Sequence, residues 1–516
     1  MKLKKERVSD KITIADIESW DNDIITIKAP TGAGKSYFVK NTLYKFAKAN
    51  NKKILFLIHR TNCVNQFQME IELAGKTDVI DIKTYQGLEV LRHKYKKNFD
   101  FSEYQYIVCD EFHYFMGDAS FSKTTDISLN MILSQKRITR IFMSATGDDM
   151  KAYISNVKKI PTLDYELEIK YDFIKSLTFY NKDESLDKFI EEAIEKNHKG
   201  IFFIQSAKKA YELYFKYKEH CLFNCSKSNG NYYKHVDPNK INDMLKNEKF
   251  EELILITTTC LDAGVNIIDD NVKHIVVDVE DIGSLIQCIG RKRIQSEDDK
   301  LYLYIRTVTN KQLGGKMTQL KNKIKMADYL RTHTVKEYIQ EFSRTLDFSN
   351  IVYDDTVSEN DKGTKKINEL MYFKCKFDLA EISIMIDTYK KFGYCKLLAK
   401  EFGFYDKETG RYDYRLIDED YKNNELERFL EKFKGKTIWK KEQEEIINNV
   451  GLKDKRGRLQ RSHTQLNTYF DSNNLQFKIN PKQDKRKILK NGKKNRNFDK
   501  TYWIISKITN KIPSNA

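Results

Sequence analysis

Little in this chain is of the kind that staples, anchors or exports a protein. Its 516 residues contain eight cysteines, Cys63, Cys109, Cys221, Cys225, Cys260, Cys288, Cys375 and Cys395, with neither the density of a disulfide framework nor a Cys-x-x-Cys spacing. Reduced thiols are expected, several of them inside strands. Cys221 and Cys225 lie four apart with only His220 beside them, too little for a zinc site, and no structural metal is expected. No run of about eighteen apolar residues occurs, which argues against a membrane-spanning helix. The N-terminal Met1-Lys2-Leu3-Lys4-Lys5-Glu6-Arg7 leads into no apolar stretch, so no secretory signal is expected and the reading is a cytoplasmic protein.

What the chain does have is length and an uneven charge. At 516 residues it exceeds the size at which one hydrophobic core stops growing, so two to four domains are expected. The net charge is +17, and from Gly451 onward seventeen Lys and Arg face only four Asp. Most of the excess therefore belongs to the tail, as either a phosphate-binding surface or a solvated lysine-rich face.

The first third alternates short apolar runs with helical spacing. Ile24–Lys28, Ile54–Ile58, Tyr106–Cys109 and Ile138–Met143 read as buried strands, the pattern of a parallel sheet with helical crossovers. The alternation restarts after about residue 165 with Gly200–Ile204, Leu253–Ile256 and His274–Asp278. From about 311 to 436 helical stretches dominate. The last part, 437–516, reads as helices followed by two strands around a basic loop, a winged-helix-like order. The expected domains are 1–165, 166–310, 311–436 and 437–516.

Four motifs lie on this frame. Ala29-Pro30-Thr31-Gly32-Ala33-Gly34-Lys35-Ser36 follows a strand and opens a helix, the context of a phosphate loop. There Thr31, Gly32 and Gly34 shape the backbone, Lys35 neutralises phosphate, and Ser36 ligates magnesium. Asp110-Glu111-Phe112-His113 closes a strand, so that its carboxylates emerge at the carboxyl edge of the sheet. Asp110 suits a magnesium ligand through water, and Glu111 suits a base that orients the attacking water. Ser144-Ala145-Thr146 comes next, and Gln287-Cys288-Ile289-Gly290-Arg291-Lys292-Arg293 completes the set. ATP and Mg2+ are the expected cofactors.

The ordered series resembles the superfamily-two helicases and translocases of the DExH/DEAD type, over about residues 12 to 310. The resemblance implies two tandem RecA-like domains, with His113, Ser144 and Thr146 coupling ATP state to domain closure and Gln287, Arg291 and Arg293 reaching the nucleotide from the second domain. It also implies nucleic-acid contacts at Arg60, Thr84, Ser206 and Thr258, and a nucleotide contact at Gly264. Two departures stand out. Asn266 replaces the usual Asp of Gly-x-Asp, and Cys288 with Lys292-Arg293-Ile294 shortens the usual last motif, so that Arg293 serves as a second arginine only if the loop is shortened. No Gln precedes the phosphate loop, unlike DEAD-box RNA helicases; Trp20 either stacks on the base or is a core aromatic.

The expected function is an ATP-dependent helicase or translocase on nucleic acid, DNA favoured and RNA open, with replication, repair or defence proteins as partners and no membrane. The alternative is a DNA-binding replication initiator or phage-defence component that uses the ATPase as a switch.

Overall fold

The computed structural model describes residues 6–59, 61–95, 97–117, 125–261, 265–342, 351–355, 364–454, 456–472, 475–489 and 491–507. The chain divides into two compact units, Met1–Tyr414 and Arg415–Ala516.

The first unit contains two α/β domains. Strands β1 (Ile24–Lys28), β2 (Ile54–Ile58), β3 (Ile80–Thr84), β4 (Tyr106–Asp110), β5 (Thr139–Ser144) and β6 (Leu163–Glu166) form a sheet in the order β3-β2-β4-β5-β1-β6. Every pairing in it is parallel. Strands β7 (Ile174–Tyr180), β8 (Lys199–Ile204), β9 (Cys221–Asn224), β10 (Ile254–Thr257), β11 (Val272–Asp278) and β12 (Leu301–Arg306) form the second sheet, β7-β12-β11-β8-β10-β9, again all parallel. Central strands such as Ile54-Leu55-Phe56-Leu57-Ile58 are apolar at successive positions because helices cover both faces. Phe56, Val108, Ile141 and Met143 bury toward one face of the first sheet, and Leu57, Ile107, Cys109 and Phe142 toward the other.

Parallel pairing sets all the strand ends of one sheet on the same edge. In the first sheet that edge carries the loop after β1, His59 after β2, Thr84 at the end of β3, Asp110 and Glu111 at β4, and Ser144 at β5. In such sheets ligands bind outside this carboxyl edge.

After β12 come a long helix, Asn310–Thr332, capped by Thr309 and Gln312, and the helices Val335–Glu341, Glu369–Ser383 and Gly393–Glu401. A short antiparallel pair, Val352–Asp355 with Thr364–Ile367, interrupts the helical pattern expected here. Met326, Tyr338, Met371 and Cys375 form a small core of their own, while Leu370 joins the first domain's core and Phe373 meets Tyr153 edge-on at 5.4 Å. The seven cysteines among the described residues are all unbridged.

The second unit has helices Ile417–Glu431, Lys440–Val450 and His463–Ser472, then the antiparallel strands Phe477–Gln483 and Thr501–Lys507. Leu430, Ile446, Leu466, Phe470, Phe477 and Ile505 are its core. The order of helices and strands is the one the tail's pattern suggests, and Leu426 and Leu430 bring the helix before residue 437 into the same core.

One glycine sets a tight crossing in the accessory helices: a Cβ at Gly393 would stand 1.9 Å from the Met385 carbonyl oxygen. Gly393→Ala is expected to cost at least ~2 kcal/mol, read as a lower urea midpoint; an unchanged midpoint would show that this crossing yields freely.

Candidate active site at the cleft between two sheets

The phosphate loop is shaped by two glycines with left-handed backbone, Gly32 at φ +87° and Gly34 at φ +84°, a region that side chains with a Cβ rarely enter. Helical residues Lys35–Tyr37 follow directly and run through a π-helical turn, Phe38–Leu43, into Tyr44–Ala49. Lys35 is 8% exposed and its Nζ donates to the Ala29 carbonyl at 3.0 Å, across the mouth of the loop. Thr31, Gly34, Ser36, Asp110, Glu111, Asn266, Gln287, Arg291 and Arg293 all line one cleft with it. Residues far apart in the chain and on two different sheets thus share one cavity.

Glu111 ends β4 in a left-handed conformation, φ 49°, a costly backbone for a residue with a Cβ. A continuing strand would send Asp110 and Glu111 to opposite faces; the break lets both line the cleft. Burial, then the charge of Glu111, push the Asp110 carboxyl up to about 7. Burial also acts on Glu111, but the charge of Lys35, the hydrogen bond and charge of His113, and Arg291 outweigh it and hold Glu111 well below the usual carboxylate range. Of the two carboxyls, Glu111 is thus the one whose charged form the cleft favours more strongly. The Asp110 Oδ1 atom is buried without a hydrogen-bond donor. An acceptor of that kind beside the phosphate loop fits a divalent cation or its water shell, with the half-buried Ser36 hydroxyl in the same cleft.

A polar chain links Glu111 to the second domain. The Gln287 side-chain amide meets His113 Nε2 at 2.7 Å. The other ring nitrogen, Nδ1, lies 2.8 Å from Ser144 Oγ. Ser144 Oγ in turn lies 3.5 Å from Glu111 Oε2, with His113 Nδ1 at 3.4 Å from the same oxygen. Thr146 N donates back to Ser144 Oγ at 3.0 Å.

The shortened last motif is resolved by its backbone. Residues 291–293 run extended beside Ile267, with Ile267 N bonding the Arg291 carbonyl at 2.8 Å and Arg293 N the Ile267 carbonyl at 2.9 Å. Alternation along an extended segment puts Arg291 and Arg293 on one face and Lys292 on the other. Lys292 is accordingly buried against Asp299 at 2.5 Å, while Arg291 and Arg293 line the cleft. A Cβ at Gly32 would meet Arg293 Nη1 at 3.1 Å, and one at Gly290 would meet Thr31 Oγ1 at 2.8 Å. The two domains therefore touch at the phosphate loop itself.

Asn266 explains how Arg293 is held. Its Oδ1 accepts from Arg293 Nε at 2.8 Å and also from Nη2, and its Nδ2 donates to Glu248 Oε1 at 3.0 Å. Only an amide can do both; a carboxylate in its place would confront Glu248. Burial, then the neighbouring Arg291 charge, lower the Arg293 guanidinium to about 10, and its Nη1 is buried without an acceptor. Glu248 carried no signal in the sequence, since nothing local marks it as a neighbour of residue 266.

The remaining expected site residues are placed less centrally. Thr84 ends β3 and Ser206 lies two residues after β8; both cap the helices that follow, accepting from Gly87 N at 2.9 Å and Lys209 N at 3.3 Å. Thr258 is 5% exposed, with its hydroxyl facing Cys260 N at 3.4 Å. Arg60 and Gly264 lie outside the described residues. Trp20 is a core aromatic, 7% exposed and bonded through Nε1 to the Tyr165 hydroxyl at 3.2 Å.

Residues 5–149 match the family model described as type III restriction enzyme, res subunit. That stretch, which carries the phosphate loop and Asp110–His113, is what the likeness covers. No curated protein matches the chain. Solved structures similar to it include Saccharomyces cerevisiae Dbp5 bound to RNA and ADP BeF3, at 19% identity over 55% of this chain and 79% of that one, TM-score 0.40. The DEAD-box helicase Mss116 bound to ssRNA and UDP-BeF matches at 16% identity over 61% of this chain and 71% of that one, TM-score 0.44. A DEAD box protein from Methanococcus jannaschii matches at 14% identity over 56% of this chain and 83% of that one, TM-score 0.33.

The Asn266 contacts give a direct test. Asn266→Ala removes the acceptor of Arg293 and is expected to slow ATP hydrolysis at saturating ATP about ten-fold, the weight of a hydrogen bond to a charged group. Phosphate release measures it, and a wild-type rate would mean that Arg293 is held by other contacts.

Proposed function

We propose that the chain is a DNA-directed motor in which ATP binds between the domains 1–165 and 166–310 and hydrolysis drives them through cycles of closing and opening. Arg293 lying over Gly32 is the observation that carries this reading, because it brings a cation from the second domain onto the phosphate loop of the first. Lys35 holds the phosphates, and Glu111, kept charged by its surroundings, takes the proton of the attacking water. Arg291 and Arg293 stabilise the charge that develops on the transferred phosphoryl group. Ser36 and Asp110 would hold magnesium, which when bound offsets phosphate charge.

The chain Gln287–His113–Ser144–Glu111 supports coupling of this chemistry to domain closure, since parting the domains breaks its first bond while the other three groups stay on one sheet. Thr84 and Ser206 cap the helices that follow strands of the two sheets; together with Arg60 and Thr258 they make the backbone contacts along which the motor steps on one strand. Within the first unit the helices after residue 311 brace the two domains, and the basic second unit, winged-helix-like, binds nucleic acid.

A second reading rests on the separation of the motor and the basic tail into two compact units: the tail finds a site and the ATPase acts as a switch. A motor responds to nucleic acid of any sequence; a switch requires its own site.

ATP hydrolysis titrated with single-stranded DNA, duplex DNA and RNA of unrelated sequence is the test. Stimulation by DNA of any sequence is expected. Glu111→Gln is expected to lose that stimulated rate by at least ~100-fold while still binding ATP, the scale of removing a general base. A Glu111→Gln variant that hydrolyses normally contradicts the assignment.

A further inference from the structure

The turn that joins the two strands of the second unit is built more firmly than its composition suggests. Asp484 and Asn495 are only 4% and 6% exposed. The Asp484 carboxylate accepts from Arg486 Nε and Nη2, both at 2.9 Å, and from Asn495 Nδ2 at 3.0 Å. Asn495 Nδ2 also donates to the Arg486 carbonyl at 2.8 Å. Backbone bonds close a smaller hairpin inside this frame, Asn495 N to the Lys487 carbonyl at 2.9 Å and Leu489 N to the Lys493 carbonyl at 2.8 Å, with Ile488 bridged to Lys494.

This frame holds an unusual outer surface. Lys485, Lys487, Lys493, Lys494, Arg496 and Lys500 are all exposed, and among the described residues none of the six has an ion-pair partner. The acids nearby are used internally: Asp484 by Arg486 and Asn495, and Asp499 by the Gln483 amide at 2.8 Å. Between these cations stands Ile488, 66% exposed. The hairpin thus leaves an isoleucine largely in water, paired across its strands with one of these cations, Lys494.

We infer that this hairpin is a duplex wedge: its cations grip the phosphates of both strands of a nucleic-acid duplex and Ile488 enters between stacked base pairs. The inference rests on the proposal that the second unit binds nucleic acid. A duplex fits better than a single strand. Single-strand surfaces offer several aromatic faces for stacking, whereas this turn has one aromatic, Phe498, 41% exposed with Lys487 Nζ 5.7 Å over its ring. Aliphatic side chains flanked by cations are the means by which proteins partly unstack and kink a duplex. Pre-ordering by Asp484 and Asn495 means that the hairpin meets the duplex without first paying to fold.

The test uses the full chain without ATP and a short DNA duplex carrying 2-aminopurine, whose fluorescence rises when it is unstacked. The wild-type chain is expected to raise the signal on binding. Ile488→Ala should lose most of the rise, and Ile488→Met should restore it, because length and apolarity are what the step requires. The double change Lys487→Ala with Lys494→Ala should reduce the slope of log affinity against log salt by about two. A duplex bound with no rise, a full rise in Ile488→Ala, or an unchanged salt slope in the lysine variant overturns the wedge. Since no nucleotide is present, a chain whose ATP hydrolysis ignored DNA but that still gave this signal would fail as a motor and keep the wedge.

Discussion

The rest of the first unit depends on one close approach, the Arg293 guanidinium laid over Gly32. It requires a loop residue with no Cβ, a left-handed backbone at that residue, and a partner segment held extended beside Ile267 so that alternate side chains face one way. Each requirement is met by a different part of the chain. If any fails, the phosphate loop and the second domain's cations belong to two separate proteins in effect. The buried Lys292–Asp299 pair shows the cost the fold accepts for this register, because a lysine must be buried wherever the alternation points it inward.

Electrostatics in the cleft follow from the same closeness. Two adjacent carboxylates at the end of β4 are buried together, and they are separated in role by where the cations stand. Lys35, His113 and Arg291 favour charge on Glu111, and Asp110 then pays for both burial and its neighbour. Asn266 performs a comparable division on the other side, accepting from Arg293 and donating to Glu248. The amide that replaces the usual carboxylate is thus a matched part of this cleft.

Much of this was legible in the chain because central parallel strands are continuous apolar runs and their carboxyl ends carry the motifs: β1, β2, β4, β5, β8, β10 and β11 all stood out. The strands that did not were at edges or mixed in polarity. β3 mixes Asp81 and Lys83 with Ile, β6 exposes three of its four residues, β7 interrupts its apolar run with Lys175 and Ser176, β9 has only four residues, and β12 alternates Leu and Ile with Tyr. Lys35, Asp110, Glu111 and Arg291 lie in one cleft as their motifs imply. The Asn266–Glu248 bond and the alternation of residues 291–293 were not legible, since both depend on which segment lies beside Ile267, a tertiary fact. Trp20 was ambiguous for the same reason: only its packing against Tyr165 decides for the core.

The central claim is that the second domain's cations act on the phosphoryl group held by the first. Single-turnover hydrolysis of ATP bound to the Arg293→Ala variant, with DNA present, tests it most directly. The account predicts retained ATP binding with a chemical step slowed by about 1000-fold or more, the range an arginine finger supplies. A chemical step at the wild-type rate would contradict it.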